Sequence, residues 1–127
     1  MCPSNYKYNS LNWQQVLNGY AMGIFPMGEE DGSIAWYEAS PRAIMPVGLQ
    51  GVNINISRSL KQVLKKNLFE IRIDTAFEQV LSLCARREST WINDVIRSAY
   101  TDLFENGYAH SVEAWQGNEL AGGLYGV

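Results

Sequence analysis

The run Gly107-Tyr108-Ala109-His110-Ser111-Val112-Glu113-Ala114-Trp115-Gln116-Gly117-Asn118-Glu119-Leu120-Ala121-Gly122-Gly123-Leu124-Tyr125-Gly126-Val127 decides the fold class. His110 to Trp115 and Glu119 to Val127 alternate well enough to form two strands, and Gly117-Asn118 between them is a hairpin signal. In the first strand a period of two sets His110, Val112 and Ala114 on one face and Ser111, Glu113 and Trp115 on the other. His110 and Ser111 are neighbours that point apart, so they do not build a Ser-His-Asp arrangement, and His110 reads as an ordinary hydrogen-bonded histidine. Glu113 reads as a polar group able to line a pocket. Gly122-Gly123-Leu124-Tyr125-Gly126 is too rich in glycine for a routine strand, which marks a bulge or the close approach of a ligand or second backbone.

Working back from this hairpin, Val95, Ile96, Ala99, Tyr100, Leu103 and Phe104 recur at helical spacing from a start near Asn93, with Gly107 as the stop. Ala76, Phe77, Val80, Leu81 and Cys84 make another helical face, and Thr75 with Glu78 has the spacing of a capping box. Phe69-Glu70-Ile71-Arg72-Ile73 alternates as a half-buried strand does. Between Ser57 and Asn67 lies a helix with Leu60, Val63 and Leu64 on one side and Arg58, Lys61 and Lys65 as a stripe on the other. Toward the N-terminus, Ser10 can cap a helix bearing Leu11, Trp13, Val16, Leu17 and Tyr20. A loop-prone stretch from Gly23 to Gly32 follows, then a strand Ile34-Ala35-Trp36-Tyr37 that Ser40-Pro41-Arg42 must end.

Strands and helices in this order, with an antiparallel end, predict an α+β fold. Pro46, Gly48 and Gly51 mark the boundary between a small N-terminal domain, residues 1–48, and the remainder, residues 49–127. The 127 residues, 46% hydrophobic and 18% charged, fit ordinary globular composition and exclude disordered, collagenous and disulfide-scaffold classes. Cys2 and Cys84 lack ligand spacing, so no metal site is expected, and Cys84 reads as free and buried. No apolar stretch reaches the length of about 20 residues that a membrane span needs, and Met1-Cys2-Pro3-Ser4-Asn5 does not read as a signal peptide, so a cytoplasmic protein without a membrane partner is expected.

The formal net charge of −3 argues against a general nucleic-acid binder, DNA included, but it conceals a segregation. Residues 1–38 carry −3, residues 39–69 carry +5 with no acid, and residues 70–127 carry −5. The Arg58, Lys61 and Lys65 stripe suits a phosphate backbone, and it equally fits a solvated face. Trp91 sits in the polar connection Glu88-Ser89-Thr90-Trp91-Ile92-Asn93, and Trp36 lies upstream of Arg42. Either ring can stack on an unpaired base or anchor a core.

Several segments taken together resemble the leucyl/phenylalanyl-tRNA–protein transferase family. They are Gly23-Ile24-Phe25-Pro26-Met27, Ala35-Trp36-Tyr37, Ser40-Pro41-Arg42-Ala43-Ile44, Ile56-Ser57-Arg58-Ser59-Leu60-Lys61, Asp74-Thr75-Ala76-Phe77, Thr90-Trp91-Ile92, and most of the run from Gly107 to Val127. The resemblance implies an aminoacyltransferase that moves Leu or Phe from aminoacyl-tRNA to the N-terminal Arg or Lys of a protein, marking it for N-end rule degradation. It implies that residues 49–127 are an incomplete acetyltransferase-like (GNAT-type) domain that binds aminoacyl-tRNA. Trp36 and Trp91 then match positions near the tRNA 3′ end and aminoacyl group, Leu124 matches a side-chain pocket position, and Arg58, Lys61 and Lys65 match or adjoin the acceptor-stem cluster. The family's catalytic Glu, Asp and Gln lie in segments expected downstream of Val127, so the chain reads as truncated before its catalytic residues. An aminoacyl ester is already activated, so neither a metal nor another cofactor is expected. The competing reading is a noncatalytic RNA-binding or adaptor module. An acetyl-CoA-dependent acyltransferase would need a Gly-rich pyrophosphate loop, and none is seen before Val127.

Overall fold

The structure, a computed structural model, describes residues 10–48, 51–52 and 54–127. Cys2 and the N-terminal residues read above for a leader lie outside them. Among the described residues, four helices and three small antiparallel sheets give the expected mixed α+β class. The N-terminal elements are α1 (Trp13–Ala21), β1 (Phe25–Gly28) and β2 (Ile34–Tyr37). A short pair, β3 (Val47–Gly48) and β4 (Gly51–Val52), precedes α2 (Arg58–Lys65). Then follow β5 (Glu70–Ile73), α3 (Phe77–Ala85), α4 (Asp94–Glu105), β6 (His110–Gln116) and β7 (Glu119–Gly126).

The predicted hairpin supplies the central strand and one edge of the largest described sheet, ordered β5-β6-β7. Val112 pairs with Leu124 and also with Ile73, which fixes the face each residue occupies. Along β7 the register shifts between Ala114 and Trp115, whose partners are Gly122 and Leu120, so Ala121 is the extra residue of a bulge. A Cβ on Gly123 would lie 2.8 Å from Val80 Cγ2, so this glycine lets α3 approach the sheet. Both explanations offered for the glycine-rich strand therefore apply.

The face of β6 carrying Ser111 and Glu113 is covered by α3, and α4 packs against α3, α1 and β1. Phe77 and Leu81 of α3, Ile96, Ala99, Tyr100 and Leu103 of α4, Val16 of α1 and Ile34 of β2 form one buried cluster. Burying each large side chain contributes about 1.5–3 kcal/mol, so the N-terminal elements are joined to the rest by shared core. Phe77 stacks on Phe104 at 4.5 Å between ring centroids, and Tyr125 meets Tyr100 edge-on at 5.6 Å.

Several local expectations are corrected. The first helix is capped by Asn12, not Ser10: its side chain accepts from the Gln15 N–H while the Gln15 side chain accepts from the Asn12 N–H. The Gly23 to Gly32 stretch contains β1, which pairs with β2 despite Pro26 because a two-stranded sheet leaves each strand an edge where a missing N–H is tolerated. Thr75 and Glu78 form no capping box; α3 begins after Ala76, and the Thr75 hydroxyl is engaged elsewhere. The strand at Glu70–Ile73 is not half-buried, since Ile71 and Ile73 are 62% and 64% exposed on a sheet face that no described helix covers. Cys84 is free but only partly buried, because it sits where α3 borders a cavity.

Candidate RNA-end binding site

Ser57 starts α2 by accepting from the Leu60 N–H at 3.2 Å. With that register Arg58, Lys61 and Lys65 fall on one side and line a shared groove of about 430 Å³ with Gln62 and Leu64. None of these three cations has an ion-pair partner among the described residues. The helix buries no residue, and Leu60, Val63 and Leu64 are exposed as well. A row of unpaired cations of this kind attracts a polyanion by releasing its counterions.

The tryptophans are placed by two glycines that residue patterns alone did not flag. A Cβ on Gly19 would lie 2.2 Å from Trp36 Cζ3, so the Trp36 ring rests directly on α1. Trp36 is thus half-buried and anchors the β1–β2 hairpin. Gly28 donates its N–H to the Trp91 carbonyl at 2.9 Å, and a Cβ there would meet Asn93 Nδ2 at 2.4 Å. Asn93 in turn caps α4 by accepting from the Ile96 N–H at 3.0 Å. The N-terminal hairpin therefore holds the loop that presents Trp91, whose side chain is 36% exposed.

Trp91 lines a cavity of about 150 Å³ with Cys84, Arg87, Ser89, Thr90, Ile92 and Tyr125. A neighbouring groove of about 270 Å³ between α3 and β7 shares Cys84 and Arg87 and runs along Leu120 to Gly123. Burial pushes the Tyr125 phenol up, and its hydroxyl is buried without a partner. Leu124 is not a lining residue of this cavity: strand alternation turns it to the opposite face from Tyr125, where it is 62% exposed. The structure thus brings Arg58, Lys61 and Lys65 together, joins Trp36 and Trp91 through the β1–β2 hairpin, and sets Leu124 on the open face of the sheet.

Glu113 is fully buried and lines none of these cavities. Its carboxylate accepts from the Ser111 hydroxyl at 2.6 Å, the Thr75 hydroxyl at 2.5 Å and N–H at 3.2 Å, and the Ala76 N–H at 3.1 Å. Burial alone would raise its pKa, but these donors outweigh that and hold it below the ordinary carboxylate value. Its position fastens the start of α3 to the sheet and satisfies N–H groups a helix terminus leaves open. Asp74, the first residue of the segment Asp74-Thr75-Ala76-Phe77, sits beside His110 at the end of β6. Its carboxylate accepts from the Ser111 N–H at 2.8 Å and meets His110 Nδ1 at 2.7 Å. The His110 bond, with help from the Ser111 N–H, keeps the Asp74 pKa low. Among the described residues no group of three or more His, Cys, Asp or Glu side chains is arranged to hold a metal ion, and no helix is long and apolar enough to cross a membrane.

The described residues thus combine an α+β scaffold with a solvent-facing row of cations and a separate tryptophan-lined cavity. The chain belongs to the leucyl/phenylalanyl-tRNA protein transferase family: the model of that description matches residues 49–127, and the model of its N-terminal domain matches residues 9–40. A protein of Herpetosiphon aurantiacus named leucyl/phenylalanyl-tRNA–protein transferase is 47% identical over 117 residues, covering 92% of this chain and 59% of the relative. Relatives of the same name from Afipia carboxidovorans and Gloeobacter violaceus are 48% and 44% identical, covering 88% and 93% of this chain but 50% and 60% of their own lengths. The chain thus spans between half and three-fifths of the length of these curated relatives.

Proposed function

We propose that this chain is the tRNA-gripping part of an aminoacyltransferase that takes Leu or Phe from aminoacyl-tRNA and joins it to the N-terminal Arg or Lys of an acceptor protein, marking it for N-end rule degradation in the cytoplasm. The observation that carries this reading is the family match over both parts of the chain, 9–40 and 49–127. It favours the transferase over an adaptor module. It also supports a division into a small N-terminal domain, residues 1–48, and an acetyltransferase-like (GNAT-type) aminoacyl-tRNA-binding domain from residue 49.

In this reading the groove of Arg58, Lys61 and Lys65 takes acceptor-stem phosphates. Trp91, at the mouth of its cavity, stacks on the 3′-terminal adenosine, with Trp36 fixing the hairpin beside it. Leu124 lies on the other face of β7 from that cavity, and β7 is an edge strand of the described sheet, so the aminoacyl group reaches over this edge for Leu124 to contribute an apolar contact to the transferred side chain. The ester is already activated, so binding must chiefly orient the attacking α-amine, accept its proton and stabilise the tetrahedral oxyanion. Good positioning alone lowers such a barrier by about 7–11 kcal/mol. In this reading the catalytic Glu, Asp and Gln of the family's pattern are supplied by sequence other than residues 1–127.

Binding of leucyl-tRNA measured against salt concentration tests it. Residues 1–127 should bind with a steep salt slope, and Lys61→Glu with Lys65→Glu should weaken binding and reduce the slope by about one per lost phosphate contact. Unchanged affinity and slope would reduce the stripe to a solvated face. Transfer of radiolabelled Leu to an N-terminal-Arg peptide is expected to be absent for residues 1–127 alone. Measured transfer would place the catalytic set within this chain.

A further inference from the structure

His110 is the chain's single histidine, and Asp74 fixes how it is presented. Asp74 adopts a left-handed backbone conformation, φ +58°, that few residue types take without strain. It is held there from both ends: its N–H donates to the Ser111 carbonyl at 3.0 Å, and its Oδ1 accepts from the Ser111 N–H at 2.8 Å. The carboxylate is therefore in place before it meets the ring. An ionised carboxylate only accepts hydrogen bonds, so the 2.7 Å contact of Oδ2 puts the imidazole hydrogen on Nδ1. In the neutral ring Nε2 is then a hydrogen-bond acceptor. The His110 side chain is 59% exposed, and Nε2 has no partner among the described residues.

The face on which this acceptor opens is the informative one. His110 and Val112 share a side of β6, and Val112 pairs with Leu124, so His110 and Leu124 are diagonal neighbours on the uncovered face of the sheet. Such neighbours lie roughly 7–8 Å apart, about the span of a leucyl group plus one hydrogen bond. On an aminoacyl ester, the donor that distinguishes a free amino acid from a blocked one is its α-amine.

We infer that His110, oriented by Asp74, accepts a hydrogen bond at Nε2 from the α-amine of the aminoacyl group and so selects tRNA carrying an unblocked amino acid. This rests on the proposed function, in which Leu124 meets the transferred side chain. His110 is here a specificity-determining contact and Asp74 a positioning residue.

Three acceptor-stem RNA hairpins test it: one ending in a 3′-leucylamide, one in a 3′-(4-methylpentanoyl)amide with the same side chain and no amine, and one in a bare 3′ end. The protein should bind the leucylamide about 3- to 10-fold more tightly than the 4-methylpentanoyl amide. His110→Asn, whose side-chain amide can still donate to Asp74 but lacks an Nε2 acceptor, should bind both amides equally with an unchanged melting temperature. A merely structural His110–Asp74 bond predicts that the preference is absent in the native protein or survives His110→Asn, and either result overturns the inference. Should His110→Asn fail to fold, the ring resonances of His110 in the native protein decide. They should shift with the leucylamide and not with the 4-methylpentanoyl amide, and equal response overturns the inference. Equal binding of the two amides, both tighter than the bare 3′ end, defeats the inference while leaving the parent reading intact. Failure of any hairpin to bind in a salt-dependent way defeats both.

Discussion

Polar side chains are used in opposite ways in α2 and at Glu113. In α2 the cations Arg58, Lys61 and Lys65 stand in solvent on a helix that buries nothing. Glu113 is sealed beneath α3 with donors from Thr75, Ala76 and Ser111 around one carboxylate. The first arrangement leaves charge available to a ligand and adds little to stability, whereas the second spends its whole hydrogen-bonding capacity on the fold. A buried carboxylate in a family of enzymes invites a catalytic role, but every hydrogen bond found for this one is made to α3's start or to its own strand.

Substitution at the buried end should give the largest effect. Glu113→Ala strips the acceptor from two hydroxyls and two backbone N–H groups. Leaving buried donors unpaired costs about 1–3 kcal/mol each, relieved in part by water or rotation, so a loss on the order of 3 kcal/mol is expected in urea denaturation. A loss below about 0.5 kcal/mol would show that the carboxylate is not what holds α3 to the sheet.

Acid should reach the same contact without mutation. Glu113 and Asp74 both have folded pKa values below those of their unfolded forms. As pH falls the unfolded state takes up protons first, so the stability these groups contribute is complete above the ordinary carboxylate range and drains away as pH drops through their folded values. Thermal melts recorded across the acid range should show this limb, flattened in Glu113→Gln. An equally steep limb in that variant would assign the acid sensitivity elsewhere.

The joint between the N-terminal hairpin and the Trp91 loop lies between these extremes. Gly28→Ala puts a methyl group 2.4 Å from Asn93 Nδ2 and 2.8 Å from the Trp91 carbonyl oxygen. Relief requires the Trp91 loop to move off β1 or the Asn93 cap to shift, so a destabilisation of about 1–3 kcal/mol is expected, with a changed Trp91 fluorescence. Stability and fluorescence matching the native protein would mean that the loop adapts freely.

How much of this was legible in the sequence depended on the range of the interactions involved. The β6–β7 hairpin, α4 and the cation stripe of α2 follow from periodicity within a short window, and each was read correctly from it. The cap of α3 was misread because Thr75 and Glu78 have the right spacing, while the group that takes the Thr75 hydroxyl, Glu113, is brought there by strand pairing. For Ile71 and Ile73, alternation correctly says that they share a face but not whether anything covers it. Gly19 and Gly28 look like interruptions of local structure until the approaching Trp36 ring and Asn93 amide are seen. The placement of Leu124 away from the Trp91 cavity likewise required the strand's actual phase against Tyr125.

The smallest expected change in stability belongs to α2, where the contrast with Glu113 is sharpest. A helix of eight residues without tertiary burial is marginal in water, because nucleation is costly and few bonds follow it. Charge reversal at Lys61 and Lys65 should therefore move the global melting transition by no more than about 0.5 kcal/mol. The same reasoning predicts that α2 amides exchange hydrogen with little protection while those of α4, packed on the shared core, exchange only on global unfolding. Acceptor-stem RNA should raise protection in α2 and leave α4 unchanged, because phosphate contacts would supply the anchoring that burial does not. If free α2 proves as protected as α4, it has packing partners outside the described residues. If RNA binds without raising its protection, the cations grip phosphate from a helix already formed, and the contrast between the two regions is one of charge alone.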